Sequence, residues 1–312
     1  MKIEIRRTTK SDLTSVLSLY DGKKSMDEIS WVLKDFYGEG FRSFVALNDK
    51  NTIIGHIGYI ISKYCINDLV FNGMHNMMWI VNEEARGSAG LKLFSKNVKM
   101  GDFGFAIGAS KFTKKIFPLV KYQYHFDIFQ YYKLINPIFL PKFKRGSVSI
   151  QKVQNFNFSF DYQNNSRNVF YNLPSKEHLN WILDCPLVQT TGFKIKENGK
   201  TIGIVIVYIK TRSQFIRTGR VVHISFLGED ENKWTQTINL INKYFFERKC
   251  YLVFFPASYS KLVDELLKCG YKKSSYISKP LYIDNSKNNL PKIKKDNFHL
   301  TFLESDLGYR NF

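Results

Sequence analysis

Hydrophobic and polar positions along this chain follow two periods, one near 2 and one near 3.6, and their order predicts strands alternating with helices. From the N-terminus the pattern predicts a strand over 3–6, helices over 11–20 and 26–37, and a hairpin of strands over Ser43–Leu47 and 53–61. A strand over 76–81, a helix over 87–99, a strand over 103–108 and a helix over 112–120 follow, before the aromatic-rich strand Tyr122–Leu134. Ser11, followed by Asp12, is the expected N-cap of the first helix. The longest apolar run, 202–209 with glycine allowed, has the length of a buried strand. A membrane helix needs ~20 such residues, so no transmembrane segment is expected.

The same order of elements then recurs. Gly55 follows a polar turn and opens the apolar strand Ile57-Gly58-Tyr59, and Gly203 does the same ahead of Ile204-Val205-Ile206. Ala109-Ser110 and Ala257-Ser258 each stand between a buried strand and an amphipathic stretch. Both pairs are 148 residues apart. Two matches in one register, inside one order of elements, argue for two copies of a domain. The second copy is predicted as a hairpin over 191–209, a strand over 221–227, a helix over 233–248, a strand over 250–255, a helix over 259–269 and strands over 271–283. Expected boundaries are a first domain over 1–146, a linker with some strand character over 147–174, a second domain over 175–290 and a tail over 291–312. The tail is expected to be mobile up to Phe298-His299-Leu300-Thr301-Phe302. The fold class is α/β, of the α+β type.

Composition narrows this picture only in part. With 44% hydrophobic and 23% charged residues the chain can fill a core, which excludes a disordered protein. The net charge of +19 is spread evenly, with 22 basic and 13 acidic residues in 1–150 and 24 and 14 in the remainder. A basic surface attracts nucleic acid, anionic lipid or a phosphorylated small molecule. Richness in Lys, Asn, Ile, Phe and Tyr equally follows from an AT-rich genome with no partner implied, so charge alone does not choose. Cys65, Cys185, Cys250 and Cys269 form no C-x-x-C pair, as expected of reduced thiols in a cytoplasm. The six histidines show no ligand spacing, so no metal is expected. Met1-Lys2-Ile3-Glu4 holds no apolar signal core, which again points to a cytoplasmic protein.

The most informative segment is Met78-Trp79-Ile80-Val81-Asn82-Glu83-Glu84-Ala85-Arg86-Gly87-Ser88-Ala89-Gly90-Leu91. A buried strand runs through an Arg-Gly turn into a helix. Glycine allows close backbone approach, and the free N–H groups of a helix N-terminus suit a phosphate. Arg86 adds a possible bidentate contact. Taken alone, the same residues also describe an ordinary strand–helix connection with a solvated arginine.

This segment resembles motif A of the GCN5-related N-acetyltransferases, where a strand ending in Val leads into a loop of the form Gln/Arg-x-x-Gly-x-Gly/Ala. In that family the loop cradles the pyrophosphate of acetyl-CoA. Arg86 and Gly87 fit, while the third and fifth positions after Arg86 are Ala89 and Leu91. Leu91 implies a slightly different loop, with Gly90 taking the close approach. The resemblance covers about 1–135 and, more weakly, 175–285, and it implies two tandem domains of this type, each a mixed, mainly antiparallel sheet flanked by helices. The 148 offset sets Trp234 opposite Arg86, in a stretch with Glu229, Asp230 and Glu231 and no glycine after Gly228. Three carboxylates there repel a pyrophosphate, so the second copy is expected to lack an acyl-CoA site.

The resemblance further implies that the loop residues Arg86, Gly87, Ser88, Ala89 and Gly90 bind acetyl-CoA. It implies that the backbone of Trp79, Ile80 and Val81 holds the pantetheine and polarises the thioester. Acyl transfer to an amine needs a base and a proton for the departing thiolate. His75 is the candidate base, and a strand-end histidine bonded to backbone is the plain alternative. The family's usual tyrosine acid corresponds to Phe117. Tyr122, Tyr124, His125 and Asp127 are candidates to line an acceptor pocket, with Tyr124 taken as a catalytic candidate; alternating aromatics also simply build strands. His223 and Ser225 on the second copy's central strand are candidates to face the acceptor, with His223 taken as a catalytic candidate, against an ordinary core role.

Together these expectations describe an N-acetyltransferase acting on a primary amine, with an amino sugar, nucleotide-linked and destined for a surface polysaccharide, as the favoured acceptor. No DNA partner is expected. Two alternatives stand beside it: a Fem-like transferase using aminoacyl-tRNA, which the charge suits, and a non-catalytic binding module whose loop has decayed.

Overall fold

The structure is a computed structural model that describes residues 2–135, 146–157, 168–211, 216–284, 290–301 and 303. The chain forms two compact units. The first comprises 1–63, 71–125 and 281–291, and the second 64–70, 126–280 and 292–312.

In the first unit, β1 (Glu4–Arg7), β2 (Ser43–Leu47), β3 (Ile53–Ile66), β4 (Leu69–Val81) and β5 (Phe103–Ile107) lie side by side in chain order. β1 pairs antiparallel with β2 and β2 with β3, whereas β4 and β5 are parallel. β2 is buried along its whole length, as its run Ser-Phe-Val-Ala-Leu requires. Asn67 and Asp68 join β3 to β4 with φ of 50° and 62°, the two left-handed residues of a type I′ hairpin turn. β4 therefore begins seven residues before the predicted 76, because this tight turn carries the ladder straight on from Leu69.

Helices α1 (Leu13–Ser18), α2 (Met26–Leu33), α3 (Ser88–Val98) and α4 (Lys111–Ile116) complete this unit. Thr9, not Ser11, begins the first helical segment: it forms a capping box with Asp12, which also receives two hydrogen bonds from Arg6. α2 stops four residues short of the predicted end at 37. The buried Arg42 ends it by donating to the carbonyls of Val32 and Lys34. The core gathers Ala89, Leu93 and Phe94 of α3 under Phe44, Ile57, Met74, Phe117 and Tyr122.

The second unit repeats the arrangement. β7 (Val148–Val153), β9 (Gln189–Glu197), β10 (Lys200–Thr211) and β11 (Arg217–Ile224) pair antiparallel in that order, and β11 runs parallel to β12 (Cys250–Ala257). α5 (Lys176–Leu183), α6 (Glu231–Glu247) and α7 (Ser260–Lys268) flank the strands. Trp234, Ile238, Ile241 and Phe245 of α6 recur at helical spacing and are buried. The 147–174 linker holds β7 and the short β8 (Phe170–Leu173). The tail forms β14 (Phe298–His299), parallel to β8, at the residues where the expected mobility ends. Its residue Phe302 and those beyond Leu303 lie outside the described residues.

The compact units are not the contiguous segments 1–146 and 175–290. β6 (Tyr122–Leu134) closes the first copy, yet its residues Phe129–Leu134 pair antiparallel with β12 inside the second unit. β13 (Lys272–Asp284) closes the second copy, yet Leu281–Asp284 pair antiparallel with β5 inside the first unit. Each copy's last strand thus completes the other unit's sheet. Sequence pattern cannot show this, since a strand's partner is not written in its own alternation.

Candidate functional site

The site of the first unit is built where β4 and β5 part. Their pairing runs only from Gly73↔Phe103 to His75↔Phe105. Three residues later Met78 adopts φ 51°, a left-handed conformation inside a strand. Its carbonyl leaves the ladder and accepts hydrogen bonds from Tyr20 Oη at 2.7 Å and His56 Nδ1 at 3.2 Å. Trp79, Ile80 and Val81 follow, and a single 3-10 turn over Glu83–Ala85 leads to α3. Gly87 takes the N-cap position with φ 98°, a conformation that strongly favours glycine, and no side chain caps the helix. The first-turn N–H groups of α3 thereby lack a side-chain cap, an arrangement that suits an anion.

Arg86 is exposed, pairs with Glu83 at 2.9 Å, and lies 5.7 Å over the ring of Phe112. An exposed pair of this kind is worth under about 1 kcal/mol, so exchanging Glu83 for a diphosphate costs little. Ser88 is exposed, whereas Ala89 and Gly90 are buried. Gly90 has a packing role beside its place in the motif. A Cβ there would meet Trp79 Cζ2 at 3.3 Å, so glycine lets α3 close onto β4. Trp79 completes that contact, its ring 5.1 Å from Phe94.

His75 is buried at the last paired position of β4, its ring 5.1 Å from that of Phe105. Phe117 is packed between Tyr122 and Tyr282, with ring centroids at 5.2 and 4.5 Å. The neighbouring phenol of Tyr122 is the polar group at this point: Asn76 Nδ2 donates to it at 3.0 Å, and Asn97 donates to Asn76 at 2.8 Å. Burial, followed by the charge of Asp284, raises the Tyr122 pKa, so the phenol stays protonated at neutral pH. Tyr124 is exposed on β6 and packs edge-on against Tyr282. The sequence did not single out Tyr20, His56, Asn76 or Asn97. The one available signal was a polar residue on the apolar face of an amphipathic element, as with Asn97 beside Leu93 and Phe94 in α3.

The second unit differs at the corresponding place. β11 and β12 are paired only from Arg217↔Cys250 to Arg220↔Phe254, so they too part. The chain's own C-terminal segment lies there. Ser258 Oγ donates to Phe298 O at 2.6 Å and accepts from Leu300 N at 2.9 Å, while His299 Nε2 donates to Ile224 O at 2.8 Å. His223 is fully buried with its Nδ1 3.0 Å from Thr301 Oγ1. Burial, then the neighbouring His299 and His178, hold its pKa well below the usual value. His223 thus anchors this segment within the second unit. Ser225 is likewise buried, its hydroxyl accepting from Ile204 N.

The register between copies shifts here. β4 ends at Val81 and β11 at Ile224, and α3 starts at Ser88 and α6 at Glu231, so strand end and helix start are both 143 apart rather than 148. Glu229 therefore stands opposite Arg86, and Trp234 is a buried residue of the first turn of α6. Asp230 caps α6 through Asn232 N, and Glu231 and Glu229 pair with Lys268 and Lys261. The expectation of an acidic helix start holds with a different register. Among the described residues no cluster of His, Cys, Asp or Glu could hold a metal ion, and no helix is long and apolar enough to cross a membrane.

No protein-family model and no curated protein matches the sequence. Solved structures do match. A GCN5-related N-acetyltransferase from Anabaena variabilis has a TM-score of 0.66 at 10% identity, over 90% of this chain and 72% of that one. A probable N-acyltransferase from Enterococcus faecalis has a TM-score of 0.63 at 10% identity, over 91% and 72%. N-myristoyltransferase of Saccharomyces cerevisiae with bound myristoyl-CoA has a TM-score of 0.57 at 11% identity, over 91% and 82%. The chain has the tandem fold of the GCN5-related N-acetyltransferases.

Proposed function

We propose that this protein is an acyl-CoA-dependent N-acyltransferase with one donor site, in the first unit. The observation that carries the reading is the parting of β4 from β5 at the left-handed Met78, leading to the uncapped, glycine-started α3. A parted strand offers backbone N–H and C=O groups to the amides of pantetheine, as a neighbouring strand would. The first-turn N–H groups of Ser88, Ala89 and Gly90, with Gly87 and Arg86, receive the pyrophosphate. Backbone N–H groups of Trp79, Ile80 and Val81 polarise the thioester carbonyl.

In this reading His75 is the candidate base that takes the amine proton. Phe117 cannot supply the proton for the departing thiolate, and the protonated Tyr122 is the candidate donor in its place. Tyr124, exposed on β6, remains a candidate on the acceptor side. The second unit takes no donor, since its own C-terminal segment lies between its parted strands and carboxylates stand at its helix start. Acetyl-CoA is the proposed donor. The proposed acceptor is a primary amine, with an amino sugar on a nucleotide, for surface polysaccharide, as the specific candidate; a chain of net charge +19 favours such a diphosphate. A cytoplasmic setting would supply both.

A thermal shift with acetyl-CoA, myristoyl-CoA and bulk tRNA in parallel tests this. A ligand at ~100 times its dissociation constant adds ~2.7 kcal/mol of apparent stability. A rise with acetyl-CoA that Gly87→Asp abolishes supports the reading. A rise with myristoyl-CoA alone replaces the donor, a rise with tRNA alone replaces the class of reaction, and no rise refutes the enzyme.

A further inference from the structure

Met78 presents a question of energetics. A non-glycine residue at φ 51° is strained and persists only where its surroundings over-determine it. Those surroundings are two donors on one carbonyl. Tyr20, just beyond α1, donates from Oη at 2.7 Å, and His56 of β3 stands 3.2 Å away through Nδ1. The two side chains also meet each other, Oη to Nδ1, at 3.2 Å. Both are buried, His56 completely.

A carbonyl can only accept, so Nδ1 of His56 carries the proton in this arrangement. Burial lowers the pKa of His56 to about 4 and keeps the ring neutral, which leaves Nε2 without a proton. That Nε2 is buried and has no hydrogen-bond partner among the described residues. Burying an unpaired polar atom is unfavourable. A leucine would pack here without it, so the imidazole serves its other nitrogen.

The consequence lies in the following peptide unit. A trans peptide is planar, with its C=O and N–H pointing in opposite directions. Holding the Met78 carbonyl towards Tyr20 and His56 therefore aims the Trp79 N–H away from them. Were Met78 to relax to the extended conformation of its neighbours, this peptide would turn over and carry the N–H with it.

We infer that Tyr20 and His56 are positioning residues that fix the direction of the Trp79 N–H by gripping the Met78 carbonyl. This rests on the acyl-transfer reading, in which that N–H helps to polarise the donor thioester. Both residues act through the backbone, so neither needs to touch the donor. Their effect falls on the transition state, where the carbonyl oxygen gains charge, more than on binding of the ground state.

Three variants test this: Tyr20→Phe, His56→Leu and His56→Asn, the last of which keeps an N–H near the place of Nδ1. The first readout needs no ligand: amide hydrogen exchange of 78–81. Tyr20→Phe and His56→Leu should speed it about tenfold, while exchange in β9 and β10 stays as in the parent. The second readout is release of CoA thiol from acetyl-CoA with hydroxylamine as a surrogate amine, beside calorimetric acetyl-CoA affinity. Both variants should lower kcat about tenfold or more with affinity changed less than about threefold, and His56→Asn should recover most of the rate. Unchanged exchange, or a His56→Asn protein as impaired as His56→Leu, would show mere packing and overturn the inference. A parent protein that binds acetyl-CoA and myristoyl-CoA alike in no measurable amount overturns the donor reading and this role together. Unaltered exchange in the variants of a parent that does bind overturns the role alone.

Discussion

Gly104→Ala is the substitution whose cost follows most directly from the structure. A Cβ at this position of β5 would overlap Tyr122 Oη and stand 2.8 Å from Cζ. The phenol cannot swing clear, because its ring is stacked on Phe117 at 5.2 Å and set edge-on against Phe94 at 5.1 Å. Forcing the ring aside is overpacking, worth about 1–3 kcal/mol. Breaking the hydrogen bond from Asn76 adds about 1 kcal/mol, since that amide is only half-buried. The expected total is about 2–4 kcal/mol. Tyr122→Phe removes the atom in closest conflict, costs about 1 kcal/mol by itself and leaves only the milder clash with Cζ. Gly104→Ala should therefore cost about 1–2 kcal/mol less in the Tyr122→Phe background than in the parent, a coupling that a double-mutant cycle isolates. Urea denaturation of the four proteins, with hydrogen exchange in α3 and β5 to assign the transition to the first unit, measures it. Equal cost in both backgrounds, or a Gly104→Ala protein within about 0.5 kcal/mol of the parent, would refute the account.

Other consequences are as direct. His56 and His299 have folded-state pKa values lowered to about 4 by burial, so between there and about 6.5 the unfolded chain binds more protons; stability should be full above pH 6.5 and fall by as much as about 3 kcal/mol for each as the pH drops to 4. Urea unfolding at pH 7.5, 6 and 5 reads this, and a flat profile would contradict it. Leu300→Ala should cost about 2–4 kcal/mol, because Leu300 is 2% exposed in the segment held by Ser258, with faster exchange confined to the second unit. Titration calorimetry should count one acyl-CoA per chain; two would mean that the C-terminal segment does not keep the second unit closed to donor. Arg86→Glu should weaken acyl-CoA affinity about tenfold or more with stability unchanged within about 0.5 kcal/mol, since its present partner Glu83 is exposed.

Legibility along the chain tracks how local the cause is. Ser43–Leu47 and Tyr122–Leu134 are strands at the residues their alternation predicts, and α3 differs from 87–99 by one residue at each end. Where a side-chain contact sets the limit, the pattern misleads. α2 ends where Arg42 takes its last carbonyls, and the first helical segment begins at Thr9 because Asp12 bonds back to it. The Asn67-Asp68 turn was legible in principle, as two residues tolerant of left-handed φ between apolar stretches. In the site, the Arg86-Gly87 loop was readable because glycine at positive φ is a local requirement. Tyr20, His56 and Asn76 were not, since each gains its meaning only from a partner 21 to 58 residues away.

The sequence by itself determined the succession of elements, their duplication at an offset near 148, and the acidic start of the second copy's helix. These follow from periodicity, turn chemistry and charge, all carried by neighbours in the chain. Only the tertiary structure decided that each copy's last strand completes the other unit, and that the register at the strand–helix loop is 143. It alone placed the C-terminal segment between the second copy's parted strands and turned the Met78 peptide onto Tyr20 and His56. Strand partners and buried hydrogen bonds depend on which distant groups share an interior, and desolvation there makes an unmet partner costly. That selection acts on the folded chain as a whole, and no window of sequence contains it.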